Sequence, residues 1–193
     1  MSHHSRQLDF IPLGIAVLTV SDTRTIAEDD SGALLIERLQ NAGHQLVERS
    51  IVKDDIYHIR AMVSGWVIRD DIQVVLVDGG TGFTARDSTP EALMPLFDKV
   101  VEGYGELFRQ ISFQQIGTST IQSRAVAGVI DQTLVFAMPG SPKACTTAWD
   151  EIIAAQLDAR TRPCNFVAMV VKDSERCATR SPRSSQQPSE ARS

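Results

Sequence analysis

Three observations predict an α/β fold in three layers, with helices on both faces of a mostly parallel sheet. Short β-branched apolar runs alternate with stretches whose apolar residues recur every three or four positions. The run Ile72 to Val77 ends in a glycine cluster followed by a helix start, the junction a parallel sheet makes at the carboxyl end of a strand. The 193 residues are 42% apolar and 22% charged, which suits one globular domain with a sizeable core.

The first half of the chain sets the topology. Gly14 to Val20 is a strand buried on both faces. Ser21-Asp22-Thr23-Arg24 leaves its end, and the loop runs on to Asp29-Asp30-Ser31-Gly32, where the acids and Ser31 are N-cap candidates. Leu34, Leu35, Leu39 and Ala42 give the next helix its apolar face, and Gly43 ends it. Leu46 to Val52 is a second strand. Asp54 or Asp55 then opens a helix with Ile56, Ile59, Met62, Val63, Trp66 and Val67 on one face. Ile72 to Val77 is the third strand, and a β-α-β-α-β order demands parallel pairing with right-handed crossovers.

At Asp78 the strand stops, and Gly79, Gly80 and Gly82 let the backbone turn and aim N–H groups at a ligand. Thr89-Pro90-Glu91 reads as N-cap, first-turn proline and first-turn acid of a helix carrying Leu93, Leu96 and Phe97. Glu102 to Arg109 reads as a glycine-marked loop feeding a short helix. Ser119 to Arg124 is a polar approach to a strand over Ala125 to Ile130, and Asp131-Gln132 turns into another strand, Thr133 to Ala137. Met138-Pro139-Gly140-Ser141-Pro142-Lys143 is a second glycine turn, with Ser141 as cap and Pro142 in the first position. That helix continues through Trp149, Ile152, Ile153 and Leu157, and Arg160 to Cys164 leaves the body.

Charge and composition exclude several classes. The net charge is −5, and the stretch from Lys172 carries five Lys/Arg against three Asp/Glu, so the body is more acidic than the whole. An acidic body argues against nucleic acid as the main partner. Three cysteines without a Cys-x-x-Cys spacing suit free thiols in a reducing compartment. The N-terminus lacks the apolar core of a signal peptide, and no apolar run approaches a membrane span. The expectation is a cytoplasmic protein with no membrane partner. Residues 1–10 read as a flexible N-terminus, 11–171 as one domain, and 172–193, rich in Ser, Arg, Pro and Gln, as a disordered tail.

The central junction is not a P-loop, because no Gly-Lys-Ser/Thr follows its glycines, and it is not a dinucleotide fingerprint, because Ala85 stands where the third glycine belongs. Its density of Thr81, Thr84, Arg86, Asp87 and Thr89 exceeds what a turn requires. Linked to it in order are Thr19-Val20-Ser21-Asp22, Asp29-x-Ser31-Gly32, Asp87-x-Thr89-Pro90-Glu91-Ala92, Glu102-Gly103-x-Gly105-Glu106 and Pro139-Gly140-Ser141-Pro142-Lys143. Together these resemble the molybdopterin-binding family over roughly Ile11 to Phe166. Phe108-Arg109-x-Ile111-Ser112-Phe113, Ile116-Gly117-Thr118-Ser119-Thr120 and Leu157 to Cys164 are most similar to its protein B branch.

That resemblance implies the family's three-layer molybdopterin-binding fold and a homo-oligomer, a trimer or, in this branch, a hexamer. It implies molybdopterin as ligand and, as in the sister branch, adenylyl transfer from ATP with Mg²⁺; a non-catalytic binding or carrier role in the same pathway is the alternative. Asp54 and Asp87 match family aspartates implicated in the transfer, as catalytic and metal-holding residues. Ser21, Asp78, Gly79, Gly80, Thr81, Gly82, Thr84, Thr89, Pro139, Gly140, Ser141 and Lys143 stand at the positions expected to bind substrate. The residue types fit, since joining two anionic partners calls for loop N–H donors, a cation and a divalent metal. Read on spacing alone, Asp54 is equally a helix N-cap and Asp87 an Asx-turn before Thr89, while Arg86, Arg109 and Arg124 suit the surface or a subunit interface. Lys143 in a first helical turn opposes the helix dipole, which a nearby phosphate would explain. Asp78 departs from the family, whose adenylyl-transferring members usually carry threonine there. A carboxylate facing the phosphate loop repels anions unless a metal neutralises it. The aromatics Phe97, Tyr104, Phe108 and Phe113 are candidates for a symmetric contact or for the chain's own core.

Overall fold

The computed structural model describes residues 9–171; the tail from Lys172 and the first eight residues lie outside the described part. Six strands form one sheet in the order β2-β1-β3-β6-β5-β4. They are β1 (Gly14–Val20), β2 (Gln45–Val52), β3 (Val74–Asp78), β4 (Lys99–Val100), β5 (Val126–Ile130) and β6 (Thr133–Met138). β2, β1, β3 and β6 run parallel, while β5 is antiparallel to both its neighbours. Asp131 at φ 53° turns the β5–β6 hairpin.

Successive side chains of the central strands point to opposite faces and build two cores. Ile15, Val17, Val74, Leu76, Leu134 and Phe136 face α1 (Asp30–Asn41) and the later helices. Ala16, Leu18, Val75, Val77, Val135 and Ala137 face α2 (Ile56–Val67), where Ile59, Val63 and Trp66 are buried. Each fully buried Val, Leu or Ile among them contributes about 1.5–3 kcal/mol. The expected three-layer arrangement is the one observed. On α1, Ala42 is exposed, because the helix has already turned away from the sheet at its C-cap.

Several local expectations change. The third strand begins at Val74, after a turn that uses Ile72, and includes Asp78, which pairs within the sheet. The next helix, α3 (Thr89–Leu93), has Ser88 at its N-cap, so Thr89 is the first helical residue. Glu102 to Arg109 is no loop: α4 spans Glu102–Ile116. Gly105 in it marks a close approach, since a Cβ there would lie 2.6 Å from the Ala125 carbonyl oxygen. Tyr104 and Phe108 belong to the chain's own core, whereas Phe113 is 51% exposed. α5 (Pro142–Ala148) continues through a π-helical turn at Trp149–Ile153 into α6 (Ala154–Gln156), and the short α7 (Val167–Val170) packs against the first core. Phe10 packs on His44, with ring centroids 5.1 Å apart. No helix among the described residues is long and apolar enough to cross a membrane.

Candidate functional site

Thr19 pairs with Asp78, and Asp78 with Met138, so the carboxyl ends of β1, β3 and β6 stand in one row. The three loops that leave this row are tied together. The Gly79 N–H donates to the Met138 carbonyl at 3.1 Å. The Gly140 carbonyl accepts from Arg24 Nη2 and from Ser31 Oγ, both at 3.1 Å. Gly79 has a φ of 97°, and a Cβ there would lie 2.3 Å from the Val20 carbonyl oxygen; a Cβ at Gly140 would lie 2.9 Å from Gly79 Cα. These two glycines let the β3 and β6 loops meet backbone to backbone.

The first glycine loop is closed by Thr89. Its hydroxyl donates to the Gly79 carbonyl at 2.8 Å and its N–H to the Gly80 carbonyl at 2.9 Å. Thr89 is therefore the latch of the loop and does not cap α3. Thr81 is buried within the loop.

Asp54 does not cap α2. That role falls to Asp55, which accepts the Tyr57 and His58 N–H groups at 2.9 and 3.0 Å. Asp54 Oδ1 instead accepts from Ser88 N–H at 3.0 Å and Ser88 Oγ at 2.7 Å. Its Oδ2 faces the glycine loop, 2.7 Å from where a Cβ of Gly80 would stand. Asp87 forms its turn with Thr84, upstream, and not with Thr89: Oδ2 accepts Thr84 N–H at 2.8 Å and Thr84 Oγ1 at 2.6 Å. The Thr84 hydroxyl, against a smaller effect of burial, holds this carboxyl below its usual range, helped by the Thr84 and Gly82 N–H groups and by Arg124. A Cβ at Gly82 would lie 2.8 Å from Asp87 Oδ2. The two aspartates thus flank one loop, Asp54 at Gly80 and Asp87 at Gly82.

Among the described residues no group of three or more His, Cys, Asp or Glu could enclose a metal ion. Two carboxylates beside one loop suit Mg²⁺ that arrives on phosphates, which then supply most of the ligands.

Arg124, read from the sequence as a surface or interface cation, holds the first glycine loop from outside it. Its guanidinium donates to the Asp87 carbonyl at 2.9 Å and the Thr81 carbonyl at 3.4 Å, pairs with Glu91, and lies 5.1 Å over the Phe83 ring. Those partners lie 33 to 43 residues away, so no local signal marks it. Arg86 pairs with Asp22 at 2.6 Å, bridging the glycine loop to the loop after β1. Arg109 stays with α4, donating to the Ala125 carbonyl at 3.4 Å. Ser21 Oγ accepts its own loop's Thr23 and Arg24 N–H groups at 3.3 and 3.1 Å, and so shapes that loop. Ser141 caps α5 through the Ala144 N–H at 3.2 Å, and the Pro139 carbonyl accepts from Cys145 Sγ at 3.7 Å. Lys143 is exposed beside Ser141, on a cavity of about 140 Å³ that reaches Phe108 and Gln115.

Asp78 is unlike its expectation. It has 0% exposure and lies beneath the loops, in contact with Thr19 at 2.8 Å. Burial pushes its pKa up to about 7, with the Thr19 contact, Arg24 and Arg49 opposing and Asp29 adding.

The chain has relatives of known family and structure. Residues 16–159 match the family model described as a probable molybdopterin binding domain. The molybdenum cofactor biosynthesis protein B of Escherichia coli (strain K12) is 63% identical over 158 residues, covering 82% of this chain and 93% of that protein. A crystal structure of a molybdenum cofactor biosynthesis protein B superposes with a TM-score of 0.75 at 44% identity, over 76% of this chain and 92% of that one. The tungsten cofactor synthesizing protein MoaB from Pyrococcus furiosus superposes with a TM-score of 0.67 at 37% identity, over 74% and 91%.

Proposed function

The chain belongs to the molybdopterin-binding domain family of molybdenum cofactor biosynthesis, and on that premise we propose that it binds molybdopterin at the joined glycine loops and transfers to it the adenylyl group of Mg-ATP. The observation that carries this reading is the placement of Asp54 and Asp87 on either side of one glycine loop at the carboxyl edge of the sheet. In the transfer, an oxygen of the pterin phosphate attacks the α-phosphorus of ATP, and pyrophosphate leaves.

The chain's part is to hold two anions together. The loops Gly79 to Thr84 and Gly140 to Lys143 receive phosphate oxygens on backbone donors, and Lys143 supplies an exposed cation. Arg124 fixes the shape of the first loop, and Arg24 that of the second. Asp54 and Asp87 would hold the Mg²⁺ that comes with ATP, which when bound neutralises phosphate charge. Leu107, Phe113, Ile116 and Ile121 on α4 and the turn after it leave large apolar side chains exposed; they favour a trimer or a hexamer in which copies bury them. The free thiols Cys145 and Cys164 suit a cytoplasmic setting.

Incubation with molybdopterin and Mg-ATP is the test, and adenylylated pterin with one equivalent of pyrophosphate is the expected result. Pterin retained with no pyrophosphate released would replace this reading with a non-catalytic carrier.

A further inference from the structure

Beneath the two glycine loops three buried side chains share too few protons. Thr19 Oγ1 lies 2.7 Å from Asp29 Oδ2 and 2.8 Å from Asp78 Oδ2. A hydroxyl carries one hydrogen and cannot donate to both carboxylates. One of these short contacts therefore needs a second proton. Asp29 is committed as an anion. It caps α1 by accepting the Gly32 N–H at 2.9 Å, pairs with Arg49 at 2.9 Å, and has Arg24 at 3.9 Å. Although its burial works the other way, the hydrogen bonds from Gly32, Thr19 and Arg49 hold its pKa below the usual range. The extra proton therefore belongs to Asp78, whose Oδ2 donates to Thr19 while Thr19 donates to Asp29. The remaining oxygen, Asp78 Oδ1, has no hydrogen-bond partner among the described residues. It lies under the second loop, 3.7 Å from where a Cβ of Gly140 would stand.

We propose that Asp78 is a proton-holding positioning residue: its proton keeps the floor of the two glycine loops neutral, and binding of a phosphate-bearing ligand there is coupled to that proton. The inference rests on reading the loops as an anion site. It replaces the metal that an ionised Asp78 would have needed with a hydrogen ion.

The charged and titratable groups facing Asp78 support this. From the start of α1 comes Asp29, from the loop after β1 Arg24, from β2 Arg49, and from α5 Cys145. Both arginines hold Asp29, and Arg24 also holds the Gly140 carbonyl. Burial, and then the nearby Asp78, push the Cys145 thiol far up, so it stays neutral. An ionised Asp78 would put its charge under Gly79 and Gly140, where a phosphate is to lie. Ligand and proton then favour one another, and by linkage a ligand bound above the pKa of Asp78 draws a proton from solvent.

The test uses the full-length chain and Asp78→Asn, whose amide keeps the shape and can donate to Thr19 Oγ1. Infrared difference spectra should show the carbonyl stretch of a neutral carboxylic acid near pH ~6 and its loss near pH ~9. Carboxyl-labelled aspartate NMR reads the same titration in the wild type alone, should the variant not fold. Pyrophosphate is then titrated calorimetrically at both pH values, in two buffers of different ionisation enthalpy. Relative to the variant, the wild type should weaken roughly tenfold to hundredfold on going to the higher pH, and should take up about one more proton on binding there. An ionised Asp78 near pH ~6, or equal pH dependence and proton uptake in the two proteins, overturns the proposal. If the acid signal is present and pyrophosphate binds neither protein at either pH, the anion-site reading itself fails and the coupling falls with it.

Discussion

Asp54 holds Ser88 twice, accepting its N–H at 3.0 Å and its hydroxyl at 2.7 Å through one carboxylate oxygen. The contact fastens the end of β2 to the start of α3 and so fixes the far side of the glycine loop. Asp54→Ala frees two donors and should cost about 1–3 kcal/mol in denaturant unfolding. Asp54→Asn leaves an oxygen that can accept both, and should cost no more than about 1 kcal/mol. If the carboxylate also holds Mg²⁺, the Asn variant should nevertheless lose turnover. Equal stability of Ala and Asn variants would mean that the Ser88 contact is not a fastening.

Asp87 separates charge from shape in the same way. In Asp87→Asn the Oδ atom can still take the Thr84 N–H and hydroxyl, so the turn should persist while the negative charge is removed. Turnover should fall by about 10²- to 10³-fold, mainly in the chemical step, with pterin affinity retained. Single-turnover kinetics separates the two. A normal rate in this variant would reduce Asp87 to a turn former.

The sequence made the sheet legible because strand signals are local. Gly14 to Val20 appears as β1 without a residue's change, since a β-branched run with a glycine start and a polar exit leaves little choice. The long α4 was illegible because Gly103 and Gly105 are loop signals by composition, whereas Gly105 is there for the Ala125 carbonyl that passes it. The site divides along the same line. The two glycine loops, Asp54 at the end of a strand and Asp87 just before a helix are visible in the sequence as residue types at those junctions. What those side chains bind is not: Ser88 for Asp54, Thr19 for Asp78, and three carbonyl or carboxylate partners for Arg124 all lie more than 30 residues away in sequence.

Two glycines should respond oppositely to alanine. At Gly79 the backbone has a φ of 97° and a Cβ would meet the Val20 carbonyl oxygen at 2.3 Å. Gly79→Ala should destabilise by about 3 kcal/mol or more, because neither the strain nor the backbone clash can relax separately. Gly65 lies in α2 with nothing within 4 Å of a Cβ, so Gly65→Ala should stabilise by about 0.5–1 kcal/mol. Thermal unfolding of the pair checks both signs in one experiment.

Self-association should depend on the apolar surface after α4. Ile121 is 77% exposed, and it shares a cleft of about 690 Å³ with Phe83 and Met94. Ile121→Lys should shift sedimentation at micromolar concentration toward smaller species, since a charge at a buried contact centre is costly. A monomeric wild type under those conditions would remove the oligomer from the proposal.

Asp78 should leave a signature in stability that its substitutions erase. Its ordinary pKa of 3.8 is raised in the folded chain to about 7. Below 3.8 both folded and unfolded chains carry the proton, and the contribution of this group is fully present. As pH rises from there, the unfolded chain releases a proton that the folded chain keeps, so stability falls. The loss is complete once pH passes about 7, where both states are ionised. It should be on the order of a few kcal/mol for so buried a group. Denaturant unfolding of wild type and Asp78→Asn across that window reads it as the difference between the two, together with the neighbours coupled to Asp78, chiefly Asp29. Asp78→Thr should remove the same slope, since a hydroxyl has no charge to titrate. The Thr variant should also bind pyrophosphate more tightly than wild type above the pKa of Asp78, where only the wild type carries a charge beneath Gly79 and Gly140. Equal affinity there would mean that a charge at this position does not reach the loops above it.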